Sequence, residues 1–153
     1  MVIVEKITVG NIERSDNFKV MLEEYGRESG ISGLPEPLAR METYRALEKS
    51  GMMTCFGVFY EDTLVGFATV LVSDMPHYSQ PVATTESFFV MAEHRGTGAG
   101  MSLLREVEAY AASRGAAGIL VSSPSQGALV DILPRKGYSE SNRVFFKGLN
   151  DAG

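Results

Sequence analysis

The chain has 153 residues, and its composition, 44% hydrophobic and 22% charged, is that of a globular protein of one domain with a sizeable core. Its formal net charge of −5 gives no general electrostatic attraction for nucleic acid, so we expect no nucleic-acid partner. We recognise no signal peptide and no apolar stretch long enough to cross a membrane, and we therefore predict a cytoplasmic protein with no membrane partner.

Cysteine and histidine are scarce in the sequence. Cys55 is the one cysteine, and His77 and His94 are the two histidines. This count excludes a disulfide framework and argues against a zinc centre, so no metal is predicted. Cys55 stands in the apolar stretch "TCFGVFY" and is interpreted as a small buried side chain. The sequence shows no repeat and no linker, and we treat residues 1–153 as one domain.

Hydrophobic periodicity predicts the elements of the first half of the chain. Alternating and β-branched residues over 2–9 predict a strand. Two helices follow, at 15–26 and 37–51, with a glycine-rich loop between them. Two β-type runs, 53–60 and 64–72, flank a short acidic turn and predict a hairpin.

The second half of the chain predicts a strand at 85–91, the segment "HRGTGAG", and then a long amphipathic helix at 101–115. A short continuous apolar run at 117–123 is typical of a central, buried strand. A weak helix at 125–137 and a closing strand at 138–149 follow. The predicted order of elements is β-α-α-β-β-β-α-β-α-β.

The segment "HRGTGAG", residues 94–100, places three glycines between a strand and a helix. The first N–H groups of a helix have no intrahelical acceptor, and the helix dipole adds a partial positive charge there. The first turn, "GAGMSLL", contains no acidic side chain that would occupy these donors. The pattern therefore predicts a binding site for phosphate.

Three phosphate-binding motifs compete for this segment. A nucleoside-triphosphate loop needs Lys followed by Ser or Thr after its last glycine, whereas this chain has Met101 and Ser102. The dinucleotide pattern G-x-G-x-x-G fails because methionine and leucine stand where its last glycine is required. The third motif, R-x-x-G-x-G, is present as Arg95, Gly98 and Gly100.

The stretch "VMAEHRGTGAGMSLL" resembles motif A of the GNAT superfamily, the acyl-CoA-dependent N-acetyltransferases. Val90 stands where that family usually has an aliphatic residue, five places before the Arg or Gln of the motif. The later "RKGY", residues 135–138, is similar to the "xxGF" of the family near its last junction of helix and strand. The resemblance implies an α/β (α+β layered) fold, in which helices flank a mixed, mostly antiparallel sheet of 6–7 strands.

The resemblance also implies acetyl-CoA as the cosubstrate. The backbone of Phe89, Val90 and Met91 would pair with its pantetheine arm as an added strand does. A splay between the fourth and fifth strands, which the family produces with a bulge in the fourth, would admit that arm. The pyrophosphate would be held by the amides of Arg95, Gly96, Thr97, Gly98, Ala99, Gly100 and Met101.

Transfer of an acetyl group to an amine needs a path for the ammonium proton and a donor for the oxyanion. Glu86 is the favoured base, since members of the family often carry a catalytic carboxylate on this strand. It shares a face with Phe88 and Val90 if no bulge intervenes. The Val90 amide is interpreted as the oxyanion donor. His77 and Tyr78, on a loop that could overhang the site, are alternatives.

Contacts with the acceptor are expected near the early glycine-rich loop and from the two residues just named, which gives the set Tyr25, Arg27, Glu28, Glu36, His77 and Tyr78. The chain departs from the family at Leu133, where many members carry a Tyr that protonates the leaving thiolate. A thiol of pKa near 8.5 leaves more easily than an alkoxide, so activity does not require that Tyr.

Three functions stay open at this point. The first is an N-acetyltransferase that moves an acetyl group from acetyl-CoA to a primary amine of a small molecule or peptide, by direct attack in a ternary complex. The second is a non-catalytic acyl-CoA-binding or regulatory module. The third is a purely structural or interaction domain. Dimers are frequent in the family, so a homodimer is a further expectation.

Overall fold

The computed structural model describes residues 1–30, 41–124 and 127–149. Its strands and α-helices, in chain order, are β1 (Val2–Ile7), α1 (Val9–Glu13), α2 (Phe18–Ser29), α3 (Met41–Lys49), β2 (Met53–Tyr60), β3 (Thr63–Met75), β4 (Gln80–Val90), α4 (Ala99–Ser113), β5 (Ile119–Leu120) and α5 (Leu129–Ile132). Two 3₁₀ helices, Ala92–Thr97 and Leu133–Lys136, precede α4 and follow α5.

The strands form one sheet in the order β1-β2-β3-β4-β5. The first four are antiparallel neighbours, and β5 runs parallel to β4. The predicted α/β class with a mixed, mostly antiparallel sheet is therefore confirmed. The predicted count is wrong, because the described part of the chain contains five strands in the sheet and not 6–7.

The two ends of the predicted order differ from the structure. The first strand ends at Ile7 because the side chain of Thr8 accepts a hydrogen bond from the Asn11 amide, and Asn11 in turn accepts from the Thr8 amide. This capping box starts the short helix α1, which the sequence pattern did not indicate. At the other end, residues 138–149 form neither a helix nor a strand, so the predicted closing strand is absent there.

Helices cover both faces of the sheet. On one face, the ring of Tyr25 in α2 packs edge-on against Phe67 and Phe89, at 5.8 Å from each. On the other face, Tyr110 of α4 packs against Phe56 at 5.2 Å. Side chains alternate between the faces of a strand, so the sheet presents an apolar surface to each layer of helices.

Candidate active site

A β-bulge interrupts the middle of β4. The register with β3 pairs Thr69 with Ser87 and then Val70 with Thr85, so Glu86 is the extra residue between two pairs. Alternation therefore breaks at Glu86, and its carboxylate lies beside Thr69 on the face of α2 and α3. The Val90 side chain instead faces α4. The sequence predicts that Glu86 and Val90 share a face of the strand if no bulge intervenes. Because the bulge is present, the two side chains lie on opposite faces of the sheet.

Two hydroxyl groups hold the carboxylate of Glu86. The Tyr44 hydroxyl donates to Oε1 at 2.8 Å, and the Thr69 hydroxyl donates to Oε2 at 2.8 Å. The pKa of the Tyr44 phenol is raised by burial and then by the charge of Glu86, so the phenol stays a hydrogen-bond donor. Glu86 itself is exposed to solvent. Both carboxylate oxygens are therefore oriented while the group stays accessible.

Beyond the bulge, β4 has an open edge on the side of β5. The Met91 amide donates to the Val65 carbonyl at 2.8 Å, and Val90 is paired with Gly66. Backbone groups alternate in direction along an antiparallel strand, so the N–H and C=O of Val90 point away from β3. β5 pairs with β4 at Ala83 and Thr84, well before Val90. The strands thus diverge where the Val90 backbone faces the gap.

Gly66 allows β3 and β4 to approach closely at this point. A Cβ added to Gly66 would lie 2.5 Å from the Phe89 carbonyl oxygen, a separation that no side chain could accept without movement of the backbone. The close approach of β3 to one edge of β4 and the gap at its other edge therefore occur at the same residues, Phe89 and Val90.

The glycine segment forms the entry to α4. Residues Ala92–Thr97 make a 3₁₀ helix, and Gly98, with φ +86°, turns the chain into α4. This left-handed conformation favours glycine. The Ala99 amide donates to the Thr97 hydroxyl at 3.3 Å, whereas the N-cap residue Gly98 provides no side-chain hydrogen bond and the first turn of α4 contains no acidic residue. Donors for an anion are therefore available at this helix N-terminus.

Arg95 connects this segment to two other elements. Its Nε donates to the Val90 carbonyl at 2.8 Å, and its Nη2 lies 2.6 Å from the Glu28 carboxylate at the end of α2. The guanidinium also lies over the Phe89 ring, 5.6 Å from its centroid. Arg95 therefore positions the loop, while the Val90 carbonyl is satisfied and the Val90 amide stays directed at the gap.

The sequence profile of the Acetyltransferase (GNAT) family matches residues 18–129, which include β4, the glycine segment and α4. The chain belongs to the GNAT acetyltransferase family. No curated protein sequence matches the chain at the level required to count as a relative.

Solved GNAT-like structures show the same fold at low sequence identity. A ribosomal-protein-alanine N-acetyltransferase from Brucella melitensis is 14% identical, with a TM-score of 0.71 over 95% of this chain and 96% of that one. Glucosamine-6-phosphate N-acetyltransferase from Arabidopsis thaliana is 12% identical, with a TM-score of 0.73 over 98% and 99%. A protein described as a transcriptional regulator from Bacillus halodurans is 19% identical, with a TM-score of 0.78 over 96% and 99%.

The structure places part of the predicted acceptor set near this GNAT site. Tyr25 lies under the sheet against Phe67 and Phe89, and burial followed by the charge of Glu86 raises its pKa to about 12. Glu28 is paired with Arg95. Arg27 is exposed on α2.

Of the other three predicted acceptor residues, two lie away from the site and one cannot be placed. Glu36 lies outside the described residues. His77 and Tyr78 are exposed in the turn that precedes β4, at the opposite end of that strand from Val90. Ten residue steps along a strand separate the two ends by roughly 30 Å, so the structure does not bring this turn to the glycine segment.

The register of β4 with β3 reduces the number of predicted residues whose backbone amide can pair with the pantetheine arm. The Met91 amide is already bonded to Val65, and Phe89 is paired with Phe67 at the positions where backbone groups face β3. Of the three predicted residues, Val90 is the one whose amide faces the gap. The alternation gives Phe88 the same direction as Val90 on that edge.

Sequence reasoning missed Tyr44 and Thr69 as partners of Glu86. The sequence pattern places Tyr44 within the helix predicted at 37–51 and Thr69 within the strand predicted at 64–72. Their hydroxyl groups meet Glu86 through packing of α3 on the sheet and through the bulge, and neither event has a local signal in the sequence.

Leu133 is buried, and the Tyr138 hydroxyl donates to Glu108 at 2.7 Å.

Two further observations concern the chain as described. Residues 1–30, 41–124 and 127–149 contain no group of three or more His, Cys, Asp or Glu side chains that could hold a metal ion. Within the same ranges, every helix is too short or too polar to span a membrane.

Proposed function

We propose that this GNAT protein is an acetyl-CoA-dependent N-acetyltransferase that acts on a primary amine by direct attack in a ternary complex. One observation carries the proposal. The N-terminus of α4 adjoins the open edge of β4, since a Cβ added to Gly100 would lie 4.0 Å from Cγ2 of Val90. A diphosphate and an extended thioester arm can therefore be recognised on one continuous surface.

The residues of this surface fit coenzyme A chemically. The amides of Gly100 and Met101 supply donors without side-chain competition, because Gly98 at the N-cap provides no capping hydrogen bond and the first turn of α4 contains no acidic residue. The Val90 amide, directed into the gap, supplies a strand-type donor to the thioester carbonyl at the end of the arm. Bound acetyl-CoA supplies an activated thioester carbonyl.

The chain's own groups account for two parts of the reaction. The Val90 amide donates to the oxygen that becomes negative when the amine attacks the thioester carbonyl. Glu86 accepts the proton of the incoming ammonium. Four residues along a strand separate Glu86 from Val90 by roughly 13 Å, so the proton passes from the reacting nitrogen through water. The sulfur leaves as a thiolate, with no tyrosine at position 133 to protonate it, and the second proton of the reacting nitrogen is lost to water.

The acceptor approaches from the face of α2 and α3. The carboxylate of Glu86 lies on this face, and an anionic group attracts a cationic amine. Structural neighbours named as acting on ribosomal protein alanine and on glucosamine-6-phosphate support an amine as the acceptor class.

A thiol-release assay with acetyl-CoA and a panel of amino acids, polyamines, aminoglycosides and peptides tests the proposal. We expect turnover with at least one primary amine. Glu86→Gln should lower kcat by about 10²–10³ and remove the dependence of kcat on pH at the acid side, because a general base is lost. Glu106→Gln, an exposed position on α4, is the matched control and should behave as the wild type. An unchanged pH profile in Glu86→Gln would remove Glu86 as the base.

A non-catalytic acyl-CoA-binding module is the second candidate, and Leu133 is the observation that favours it. The buried leucine offers no proton to a leaving thiolate. This candidate predicts saturable binding of acetyl-CoA in calorimetry and no thiol release with any amine. Absence of acetyl-CoA binding would contradict both candidates.

A further inference from the structure

A cavity lies between the sheet and the helices α1, α2 and α3. Its volume is about 40 Å³. One water molecule needs roughly 10–15 Å³ of such a volume, so the cavity has room for about three groups of that size. The buried side chains of Met21, Cys55 and Phe67 form its floor. Leu22 of α2 and Met41 of α3 line it and are partly exposed, so the cavity is reached from the side of these two helices.

The wall of this cavity is apolar. The described residues that line it include no charged side chain. The hydroxyl groups of Tyr44 and Thr69 donate to Glu86, and the Ser87 hydroxyl lies 2.6 Å from that of Thr69. These three hydroxyl groups of the wall are therefore already hydrogen-bonded within the protein. A hollow of this kind excludes water and binds apolar groups.

The cavity lies between the two groups that the proposed acetyl transfer uses. At one end, two hydroxyl-bearing residues of its wall hold the carboxylate of Glu86. At the other end, Phe67 packs on Phe89, with 5.7 Å between the ring centroids, and Phe89 directly precedes Val90. The cavity therefore follows the face of the sheet from the level of the gap to the level of the carboxylate.

We propose that the acceptor is a monoamine with a short aliphatic substituent of about three or four carbons, and that this cavity receives the substituent. The inference rests on the proposed acetyl transfer and names the acceptor class for that site. The carboxylate of Glu86 at the rim attracts one ammonium group. A second ammonium group on the same acceptor would enter a cavity without a charged partner among the described residues, which is costly. Diamines and polyamines are therefore disfavoured.

Turnover of linear primary amines with acetyl-CoA tests the apolar recognition. We expect kcat/KM to rise about fourfold for each carbon added from methylamine to butylamine, because each buried methylene group contributes roughly that factor, and to level off beyond pentylamine. 1,3-Diaminopropane has as many non-hydrogen atoms as butylamine but ends in a second ammonium group. Its kcat/KM should be lower by about 100-fold or more. A flat series, or equal values for butylamine and the diamine, would overturn the proposal.

A carboxylate placed in the wall tests where the substituent lies. Met41→Glu and, on the facing helix, Leu22→Glu should each favour 1,3-diaminopropane over butylamine, because the new carboxylate pairs with the second ammonium group. Val20→Glu makes the same substitution at an exposed position of α2 outside the cavity and is the matched control. The control should keep the order of the wild type. Variants that keep this order as the control does would contradict the placement.

Binding measured with coenzyme A, which carries no acetyl group to transfer, separates failure of this inference from failure of the proposed function. Protein labelled with ¹³C in its methionine methyl groups is titrated with butylamine. Met21 and Met41 line the cavity and should shift saturably, whereas the exposed Met52 should not. Such shifts without turnover of any amine would support the cavity and contradict the acetyl transfer. Turnover of amines without shifts at Met21 and Met41 would overturn the cavity as the acceptor site.

Discussion

At the scale of the residue, the orientation of Glu86 is the feature that most directly concerns chemistry. Its position on the fourth strand was predictable from alternation and from the resemblance to GNAT proteins. The bulge that turns its carboxylate toward Tyr44 and Thr69 was not, because an extra residue in a strand depends on the register of the neighbouring strand. The hydrogen bond from Tyr44 crosses from one layer of the fold to another, which short-range sequence patterns do not encode.

Tyr44→Phe should lower kcat by about tenfold, because the lost donor to a charged acceptor is worth roughly 1.5 kcal/mol and leaves Glu86 less well oriented. The KM for acetyl-CoA should stay unchanged, since Tyr44 lies on the acceptor face. Steady-state kinetics measures both quantities. Tyr78→Phe, in the exposed turn far from Val90, is the control. A rise in the KM for acetyl-CoA with unchanged kcat would contradict this role of Tyr44.

At the scale of the element, sequence patterns located most helices and strands, and they failed where an end depends on a partner. The hairpin was predicted at 53–60 and 64–72, and the structure has β2 over Met53–Tyr60 and β3 over Thr63–Met75. The helix after the glycines was also predicted, because its apolar period is long. The predicted strands at 117–123 and 138–149 are short or absent, because a strand forms only where a neighbouring strand accepts its hydrogen bonds.

A substitution at the N-terminus of α4 is expected to change protein stability and acetyl-CoA binding in opposite directions. Gly100→Asp should stabilise the protein by about 0.3–1 kcal/mol, because a carboxylate interacts favourably with the start of a helix. It should also weaken acetyl-CoA binding at least tenfold, because the same carboxylate competes with the diphosphate. Thermal melting and calorimetry measure the two effects. Gly100→Asn, of equal size and without charge, is the control. Equal affinities of the two variants would show that the diphosphate binds elsewhere.

At the scale of the whole molecule, a sheet with helices on both faces buries ionisable groups. The sequence alone does not show how far their pKa values move. Cys55 is fully buried, as predicted. Its pKa is raised to about 12, first by burial and then by the charge of Glu48. Tyr25 has a similarly raised pKa of about 12. Both groups are therefore held neutral in the folded protein over a range of pH in which they ionise in the unfolded chain.

The free energy of unfolding should consequently fall as the pH rises above about 9. The folded pKa of Cys55 exceeds its unfolded value, so its contribution is complete below pH 9 and is lost between about 9 and 12. A single such group changes the free energy by up to about 1.4 kcal/mol per pH unit. Denaturant unfolding of Cys55→Ala should show a shallower loss between pH 9 and 10 than the wild type, whatever its stability at pH 7. Parallel curves for the two proteins would contradict the burial of an ionisable thiol.

The central claim is that the Val90 amide and the amides at the start of α4 form one surface for acetyl-CoA. A titration of ¹⁵N-labelled protein with acetyl-CoA, followed by the amide resonances, tests it most directly. We expect saturable shifts at Val90 and at 98–101, with the turn at His77 and Tyr78 unchanged. No shift at saturating ligand, or shifts confined to residues remote from β4 and α4, would contradict the claim.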